Sequence, residues 1–240
     1  MVGGPNGSGK STLINRILRP DWLGTYLNPD DIERNIRTRG FFSLAEFGVL
    51  AGADEALKFF RNSTFLRQAG LGPDANRLTG AGQEIHFAGV PANSYFASVA
   101  VDFMRRQLLS QEASFTLETV MSSRDKVEFL EHARTRGYRT YLYFVATEDP
   151  AINLSRVRSR VGSGGHGVPE DKVVGRYVRS LALLPEAIRH TDRAYIFDNS
   201  GGPGNHTWLA EITGGRSLEL KTDRFPDWFK RAVLDKVAPA

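Results

Sequence analysis

The stretch Gly4-Pro5-Asn6-Gly7-Ser8-Gly9-Lys10-Ser11-Thr12 fits G-x-x-x-x-G-K-[ST], the pattern of a phosphate-binding loop or P-loop. Glycine at positions 7 and 9 permits backbone angles and a close approach that a Cβ would prevent, so successive N–H groups can face an anion. We expect Lys10 to reach the β- and γ-phosphates of a nucleotide, and the Ser11 hydroxyl to ligate Mg²⁺. The residues predicted to bind the nucleotide are Asn6, Gly7, Ser8, Gly9, Lys10, Ser11 and Thr12.

The segments on either side of this loop carry the next expectations. Lys10 to Arg19 is predicted to be a helix, whose N-terminus adds a favourable dipole to the phosphate site. Only Met1-Val2-Gly3 precede Gly4, whereas a P-loop normally follows a buried strand of several apolar residues. Either the first strand is therefore very short, or part of it is missing from the chain.

The composition is that of an ordinary globular protein. The 240 residues are 41% hydrophobic and 24% charged, which suffices for one large domain with a buried core. The absence of cysteine excludes disulfides, thiol catalysis and cysteine-ligated zinc. No apolar run approaches the roughly 20 residues of a bilayer span, and no signal peptide is recognisable, so we expect a cytoplasmic protein without a membrane partner. The net charge of +4 suits either nucleic acid or anionic small substrates.

Strand-like apolar runs alternate with helix-like segments, which predicts an α/β protein with a parallel sheet. The run from Thr140 to Val145 is nearly all β-branched or aromatic, as expected of a strand buried on both faces. Ser123–Arg136 is predicted to be a helix that ends at Gly137. The predicted strands are Gly24–Asn28, Ser114–Glu118, Thr140–Ala146 and Ala194–Asp198.

Between residues 41 and 111 the chain departs from this alternation, which indicates an insertion. Ser43–Gln68 is predicted to be helical, Gln83–Gly89 to hold a small hairpin, and Ala92–Leu109 to form a second helix. The insertion either shapes an acceptor site or is plain packing. The core positions predicted for its first helix are Phe47, Leu50, Leu57, Phe60 and Phe65. Near the C-terminus, the runs 207–213 and 217–221 are predicted to form a hairpin, followed by a helix over 225–237.

Polar residues end two of the predicted strands. Asn28-Pro29-Asp30-Asp31 stands at the end of the predicted strand Gly24–Asn28, and ligands of open α/β sheets bind at the carboxyl ends of strands. Asp30 is thus a candidate base for an attacking hydroxyl, the alternative being that Asp30 or Asp31 only caps the next helix. Asp198-Asn199-Ser200 ends the last strand, as either an ordinary turn or a neighbour of the purine.

Glu118 and Thr119 stand at the end of the predicted strand Ser114–Glu118, in the run Thr116-Leu117-Glu118-Thr119. Glu118 is a single acid on an apolar strand, where its desolvation requires a reason. It either binds acceptor hydroxyls, holds Mg²⁺ through water, or serves as a helix cap or salt-bridge partner.

An arginine-rich segment predicts a lid. Arg156 and Arg160 are four residues apart and share a face of a predicted helix. A glycine-rich stretch with His166 follows, and then a second helix with Arg176. Such an arrangement suits arginines that close over a transferring phosphoryl group, the alternative being a solvated helix face. His166 has no second ligand at metal-binding spacing, so we do not expect it to bind metal.

These pieces, in this order and over most of the chain, resemble the zeta-toxin family of P-loop kinases, especially its short ATPase-like members. The resemblance implies one P-loop kinase-like domain over residues 1–240, with an insertion at about 41–111 and a lid at about 156–176. It implies a three-layer α/β fold with a mainly parallel five-stranded sheet of order 2-3-1-4-5. The matching stretches are Gly4–Thr12, Asn28–Ile32, Phe115–Ser122, Arg156–Arg176 and Phe197–Ser200.

The resemblance also implies roles for individual residues. The family's base falls on Asp30, its substrate-contacting glutamate on Glu118, and its phosphate-binding arginines on Arg160 with Arg156 or Arg176. Zeta toxins phosphorylate the 3′-hydroxyl of UDP-N-acetylglucosamine and are paired with antitoxins, so this sugar nucleotide is a candidate acceptor and an antitoxin a candidate partner.

The leading hypothesis is an ATP- and Mg²⁺-dependent kinase acting on a hydroxyl of a small molecule, with GTP left open as the donor. The predicted catalytic residues are Lys10, Asp30, Arg156, Arg160 and Arg176, and the predicted substrate contacts are Glu118, Thr119 and His166. One alternative is a nucleotide-dependent regulatory or binding ATPase without a small-molecule acceptor. Another is a kinase of nucleic-acid ends, against which the concentration of arginines in one segment counts.

Overall fold

A computed structural model describes residues 1–162, 167–202 and 205–237. The chain divides into two compact units, the first formed by Met1–Arg19 with Thr119–Ala240 and the second by Pro20–Glu118. Within the described ranges, no helix is both long and apolar enough to cross a bilayer.

The elements of both units are numbered in chain order. The strands are β1 (Val2–Gly3), β2 (Thr25–Leu27), β3 (Phe41–Ser43), β4 (Thr79–Ala81), β5 (Glu84–His86), β6 (Phe115–Thr119), β7 (Tyr141–Ala146), β8 (Arg193–Asp198), β9 (Thr207–Thr213) and β10 (Ser217–Leu220). The α-helices are α1 (Lys10–Ile17), α2 (Pro20–Leu23), α3 (Pro29–Arg39), α4 (Ala53–Asn62), α5 (Thr64–Gln68), α6 (Gly72–Arg77), α7 (Ser94–Ser110), α8 (Asp125–Thr135), α9 (Pro150–Gly162), α10 (Glu170–Arg189) and α11 (Asp227–Phe229). A 3₁₀ turn covers Ala45–Phe47 and a π-helical turn Lys230–Leu234.

The first unit is built on a sheet in which β10, β9, β8, β7 and β1 lie side by side in that order. Strands β1, β7 and β8 are parallel, with Val2 opposite Tyr143 and Tyr143 opposite Tyr195. Strands β9 and β10 are antiparallel and form the predicted C-terminal hairpin. Strand β7 is central and its last three residues are fully buried, which agrees with the continuous apolar run of its sequence.

One face of this sheet carries the main core of the first unit. Leu142 and Phe144 of β7 and Ile196 of β8 pack there with Leu184 and Ile188 of α10. The C-terminal segment closes the core, because Trp228, Phe229 and Val233 are buried in the same cluster. Strand β1 is only two residues long, and β7 pairs with it on one side.

The second unit contains two small sheets and several helices. Strands β2 and β6 pair in parallel, whereas β3, β5 and β4 form an antiparallel sheet in that order. Four buried phenylalanine rings fill the space next to the antiparallel sheet, with centroid distances such as 5.5 Å between Phe87 and Phe96 and 6.2 Å between Phe60 and Phe96. The aromatic positions of this insertion at 42, 60, 87 and 96 are therefore core positions.

The prediction of a single helix over Ser43–Gln68 is wrong. Residue 43 ends a strand, Gly48 with φ 65° ends the 3₁₀ turn, and α4 and α5 are separate helices. Ser63 causes the second break, because its hydroxyl accepts the N–H of Leu66 and caps α5. The two predicted core residues next to these breaks, Leu50 and Phe65, are 80% and 48% exposed.

Three other boundaries also differ from prediction. Helix α1 ends at Ile17 because Pro20 follows closely, and a residue before proline avoids the helical region. The hairpin predicted over 83–89 turns earlier, at Gly82 with φ 57°, which permits the tight reversal from β4 to β5. The predicted C-terminal helix is a short α-helix that continues as a π-helical turn.

The strand pairings agree with parts of the predicted order 2-3-1-4-5. The neighbours β1, β7 and β8 correspond to its members 1, 4 and 5, and β2 beside β6 corresponds to members 2 and 3. The complete order and the single-domain interpretation stay predictions.

Alkaline stability depends on a buried tyrosine of the first unit. The Tyr177 hydroxyl donates to the carbonyl of Thr147 at 2.7 Å, and burial raises the pKa of Tyr177 to about 12. Between pH 10 and 12 the unfolded chain releases this proton while the folded protein retains it. The free energy of unfolding should therefore be fully retained below pH 10 and fall as the pH rises to 12. Urea unfolding across this range should give a flatter decline for Tyr177→Phe than for wild type.

Candidate active site

The loop between β1 and α1 has the backbone of an anion-binding nest. Gly4, Gly7 and Gly9 have φ values of 145°, 74° and 98°, which residues with a side chain rarely adopt. A Cβ on Gly7 would lie 2.6 Å from the carbonyl oxygen of Asn153, and one on Gly9 would overlap the amide of Asn199. The glycines are thus required both by the backbone angles and by the neighbouring groups.

Lys10 begins helix α1 and lies against this loop. It is 8% exposed, and its ammonium group donates to the carbonyls of Gly4 at 2.9 Å and Pro5 at 3.0 Å. The N-cap of α1 is Gly9, which has no side chain to occupy the helix N-terminus. The ammonium group, the helix dipole and the loop N–H groups therefore offer positive potential to an anion at one place.

Side chains from three distant segments contact carbonyl oxygens of the loop. The amide Nδ2 of Asn153 in α9 donates to the carbonyl of Asn6 at 2.6 Å, and that of Asn199, after β8, donates to the carbonyl of Ser8 at 2.8 Å. The Nε2 atom of His206 lies 3.2 Å from the carbonyl of Gly9. These contacts join the loop to the rest of the first unit.

Two of the predicted arginines lie at this loop or beside it. The Nη1 atom of Arg176 in α10 is 3.5 Å from the side-chain oxygen of Asn6. Arg156 of α9 donates from Nη2 to the carbonyl of Gly201 at 2.8 Å. Burial lowers the pKa of Arg156, while the charge of Asp198 acts in the opposite direction. Arginine stays charged at neutral pH despite such shifts, so Arg156 is a partly desolvated cation.

The other two site residues of the predicted lid are Arg160 and His166. Arg160 lies on α9 with an exposed side chain, four residues from Arg156 as predicted. Between them, Arg158 pairs with Glu170 of α10 at 2.5 Å. The predicted substrate contact His166 lies outside the described residues.

In the second unit, Asp30 lies at the start of α3. The side chain of Asn28 is the cap of this helix and accepts the N–H of Asp30 at 2.9 Å. The alternative that Asp30 or Asp31 provides the cap is therefore wrong, because α3 begins earlier, at Pro29. The side chain of Asp30 is exposed at the N-terminus of the helix, whereas Asp31 pairs with Arg34 at 2.8 Å.

Glu118 has a partner that the sequence did not indicate. The hydroxyl of Tyr26 in β2 donates a very short hydrogen bond to the carboxylate of Glu118 in β6, and Asn28 donates to the same hydroxyl at 3.2 Å. Burial and the charge of Glu118 both raise the pKa of Tyr26, so the phenol stays protonated. Asn28 thus connects the Tyr26–Glu118 pair with the start of α3. At the end of β6, the Thr119 hydroxyl accepts the N–H of Met121 at 3.1 Å.

The first unit fits a nucleotide phosphate group with Mg²⁺. Among the described residues, three buried polar atoms at or near the loop have no hydrogen-bond partner: Ser8 Oγ, Asn199 Oδ1 and Arg156 Nη1. Of these, Ser8 Oγ and Arg156 Nη1 are donors, and together with the positive-φ glycines and Lys10 they suit phosphate oxygens. No three His, Asp or Glu side chains in the described ranges gather at metal-binding distance. Ser11, at the start of α1, is the loop residue that would hold Mg²⁺ together with phosphate oxygens.

Sequence reasoning missed most of the loop contacts. Asn153 carried a usable signal, because it lies one turn before Val157 on the buried side of α9, where an amide requires a partner. Asn199 follows the carboxyl end of β8, where the sequence predicts either a turn or a purine contact and not a contact with the loop. His206 and Tyr26 carried no local signal, since their partners are distant in sequence.

Known proteins resemble the chain mainly in fold. No family model matches it. A segment of 69 residues, 29% of the chain, is 32% identical to an uncharacterized protein of Haemophilus influenzae and covers 49% of that protein. A chain of the AvrRxo1-ORF1:AvrRxo1-ORF2 complex with sulphate ions is 14% identical with a TM-score of 0.54, over 96% of this chain and 62% of that one. A chain of the same complex with ATP is 15% identical with a TM-score of 0.52, over 92% and 59%.

These values show the fold alone. The protein has an α/β fold with a mostly parallel sheet and flanking helices, similar to that of the AvrRxo1 complex chains. It spans less than two thirds of the length of each of these proteins.

Replacing Gly7 tests whether its neighbours fix the loop. Gly7→Ala forces a residue with a side chain into a left-handed backbone conformation and places its Cβ against the Asn153 carbonyl. The free energy of unfolding should therefore fall by on the order of 3 kcal/mol, and the predicted binding of ATP should be abolished. Gly137→Ala is the matched control, because its φ is 83° and no described atom lies within 4 Å of its Cβ position. It should cost only about 1–2 kcal/mol and leave ATP binding intact. Urea unfolding and calorimetric titration with ATP measure both quantities, and equal costs would contradict the steric argument.

Removing the Tyr26 hydroxyl tests the carboxylate pair of the second unit. Tyr26→Phe keeps the ring and deletes the donor to a carboxylate that is nearly buried, so the free energy of unfolding should fall by ~1–3 kcal/mol. In a Glu118→Gln background the same change should cost clearly less, since the hydroxyl then no longer donates to a charged group. Equal costs in both backgrounds, measured by urea unfolding, would show that the pair is not coupled.

Proposed function

We propose that the protein is an ATP- and Mg²⁺-dependent phosphotransferase that acts on a hydroxyl group of a small molecule. The observation that carries the proposal is the nest at residues 4–9, with glycines at positive φ around the ammonium group of Lys10. Two arginines of the same unit add positive charge nearby, one of them in contact with Asn6. The presence of ATP in a complex that contains a chain of similar fold is consistent with this reading.

The chain's own residues would divide the work in the following way. The loop N–H groups and Lys10 would bind the β- and γ-phosphates, and Ser11 would hold Mg²⁺, which would supply charge neutralisation. Arg156, Arg160 and Arg176 stabilise the charge that develops on the transferring group. Asp30 accepts the proton of the acceptor hydroxyl. At the same time the acceptor oxygen bonds to the γ-phosphorus, and the bond between the γ-phosphorus and the ADP oxygen breaks. Glu118, Thr119 and His166 contact the acceptor.

The acceptor and the partner belong to the same proposal. UDP-N-acetylglucosamine is the first candidate acceptor, on the strength of the resemblance to zeta toxins. A cytoplasmic location and control by an antitoxin protein are proposed on the same ground, and GTP is the second candidate donor.

Mass spectrometry of reactions with ATP, Mg²⁺ and UDP-N-acetylglucosamine tests the proposal. Wild type should give a product heavier by one phosphate, and Lys10→Ala should give none, because the loop loses its ammonium group. Asp30→Asn should slow transfer by about 10²–10⁴-fold if it removes the base. Asp31→Asn is the matched control, since this neighbouring acid pairs with Arg34 and should leave the rate unchanged.

Each contrary outcome points to one part of the proposal. Near-normal turnover by Asp30→Asn would remove that residue from the role of base. ATP consumption without a phosphorylated sugar nucleotide would reject this acceptor and lead to a panel of other hydroxyl compounds, including oligonucleotides with free 5′-hydroxyls. Equal ATP consumption by wild type and Lys10→Ala would reject the kinase itself.

A further inference from the structure

We infer that Asn153 and Asn199 are positioning residues for nucleotide binding, which set the direction of two loop peptides and thereby aim two N–H groups at the phosphates. The inference rests on the nucleotide-binding part of the proposed function and does not depend on the acceptor. Neither side chain has to touch the nucleotide. Both act on the loop from behind.

The geometry of the peptide unit links each carbonyl to the N–H group that follows it. A trans peptide is planar, so the carbonyl of one residue and the N–H of the next point in opposite directions. A side chain that holds a carbonyl on the outer side of a loop therefore directs the following N–H inward. Asn153 holds the carbonyl of Asn6, which directs the N–H of Gly7 inward. Asn199 holds the carbonyl of Ser8, which directs the N–H of Gly9 inward.

The glycines make such external support necessary. Gly7 and Gly9 have φ values of 74° and 98°, and glycine populates many other angles at similar energy. At these two positions the residue type alone therefore does not favour the nest conformation. The two amide hydrogen bonds supply that preference at the peptides that precede Gly7 and Gly9.

Both asparagines are themselves fixed. Asn153 is fully buried, and its side-chain oxygen accepts a very short hydrogen bond from the Thr147 hydroxyl, which orients the NH₂ end toward Asn6. Asn199 is 2% exposed, and its backbone N–H donates to the carbonyl of Ala146 at 2.8 Å. Asn153 of α9 is thus fixed by Thr147, which directly follows β7, and Asn199 directly follows the adjacent strand β8, so the sheet determines where the loop peptides point.

The carbonyl of Gly9 differs from the other two. It accepts the N–H of Leu13 at 2.9 Å as the first bond of helix α1, and the contact with His206 comes in addition. The helix already directs the N–H of Lys10, so His206 is not needed for that purpose. The inference is therefore confined to the two asparagines.

Calorimetric titration with ATP in the presence of Mg²⁺ tests the inference. Asn153→Ala and Asn199→Ala should each weaken ATP binding about tenfold, the value of one hydrogen bond that orients a binding group. The double variant should lose about 100-fold, because the two side chains act on different peptides. Thr191→Val is the matched control. It deletes a buried hydroxyl that donates to the carbonyl of Ile188 at 2.8 Å, beyond the opposite end of β8, and should bind ATP as wild type does.

Adenosine provides the readout that a merely structural role would not move. It has no phosphates, so the alanine variants should bind it as wild type does. Equal losses for ATP and adenosine would overturn the inference, as would wild-type ATP affinity in both folded alanine variants. Asn153→Asp and Asn199→Asp keep the size of the side chain and lack the amide donor, so they test the same point if the alanine variants fail to fold. Retention of ATP affinity by both would likewise overturn the inference.

The proposed phosphotransfer fails in a different way. If wild type shows the expected pattern with ATP and adenosine but phosphorylates no hydroxyl compound, the kinase proposal falls and the positioning role stands. If wild type does not bind ATP, both fall.

Discussion

The structure of the first unit depends on one constraint: a loop whose backbone forms an anion-binding nest must lack side chains at certain positions and yet have one conformation. Glycine meets the first requirement and opposes the second, because it is the residue with the most backbone freedom. Buried side chains around residues 4–9 resolve this conflict. The carbonyls of Asn6 and Ser8 are held by asparagines, and those of Gly4 and Pro5 by Lys10.

The sheet explains why these supports lie where they do. Strands β7 and β8 are parallel and adjacent, so their carboxyl ends meet at one edge. Thr147 directly follows β7 and Asn199 directly follows β8. Polar groups at this edge are buried, and a buried polar group needs a partner. The carbonyls of the loop provide some of these partners, and the Tyr177 hydroxyl is satisfied by the carbonyl of Thr147. The same bonds therefore satisfy the buried polar groups and fix the loop.

The sequence predicted what depends on local pattern and missed what depends on distant pairing. Strands 141–146 and 193–198 were predictable within one residue or so, because a continuous apolar run has few interpretations. The prediction of one helix over residues 43–68 was wrong, because the apolar spacing is helical through much of this segment while single residues, Gly48 and Ser63, decide where its helices end. The loop itself was predictable from a nine-residue pattern. Most of its side-chain contacts were not, since partners such as Asn199 and His206 lie almost 200 positions away from Ser8 and Gly9.

Two neighbouring arginines of helix α9 differ in how strongly their charge can attract an anion. Arg158 is exposed and paired with Glu170, so most of its charge is neutralised by a carboxylate and screened by water. Arg156, two residues earlier, is bound by the carbonyl of Gly201 instead, and its buried Nη1 has no partner in the part of the chain that the structure describes. A carbonyl orients a guanidinium without cancelling its charge, and partial burial makes that charge act more strongly on a nearby anion. The lowered pKa of Arg156 expresses the cost of this arrangement, and a phosphoryl group with several acceptor oxygens is the kind of ligand that would offset it.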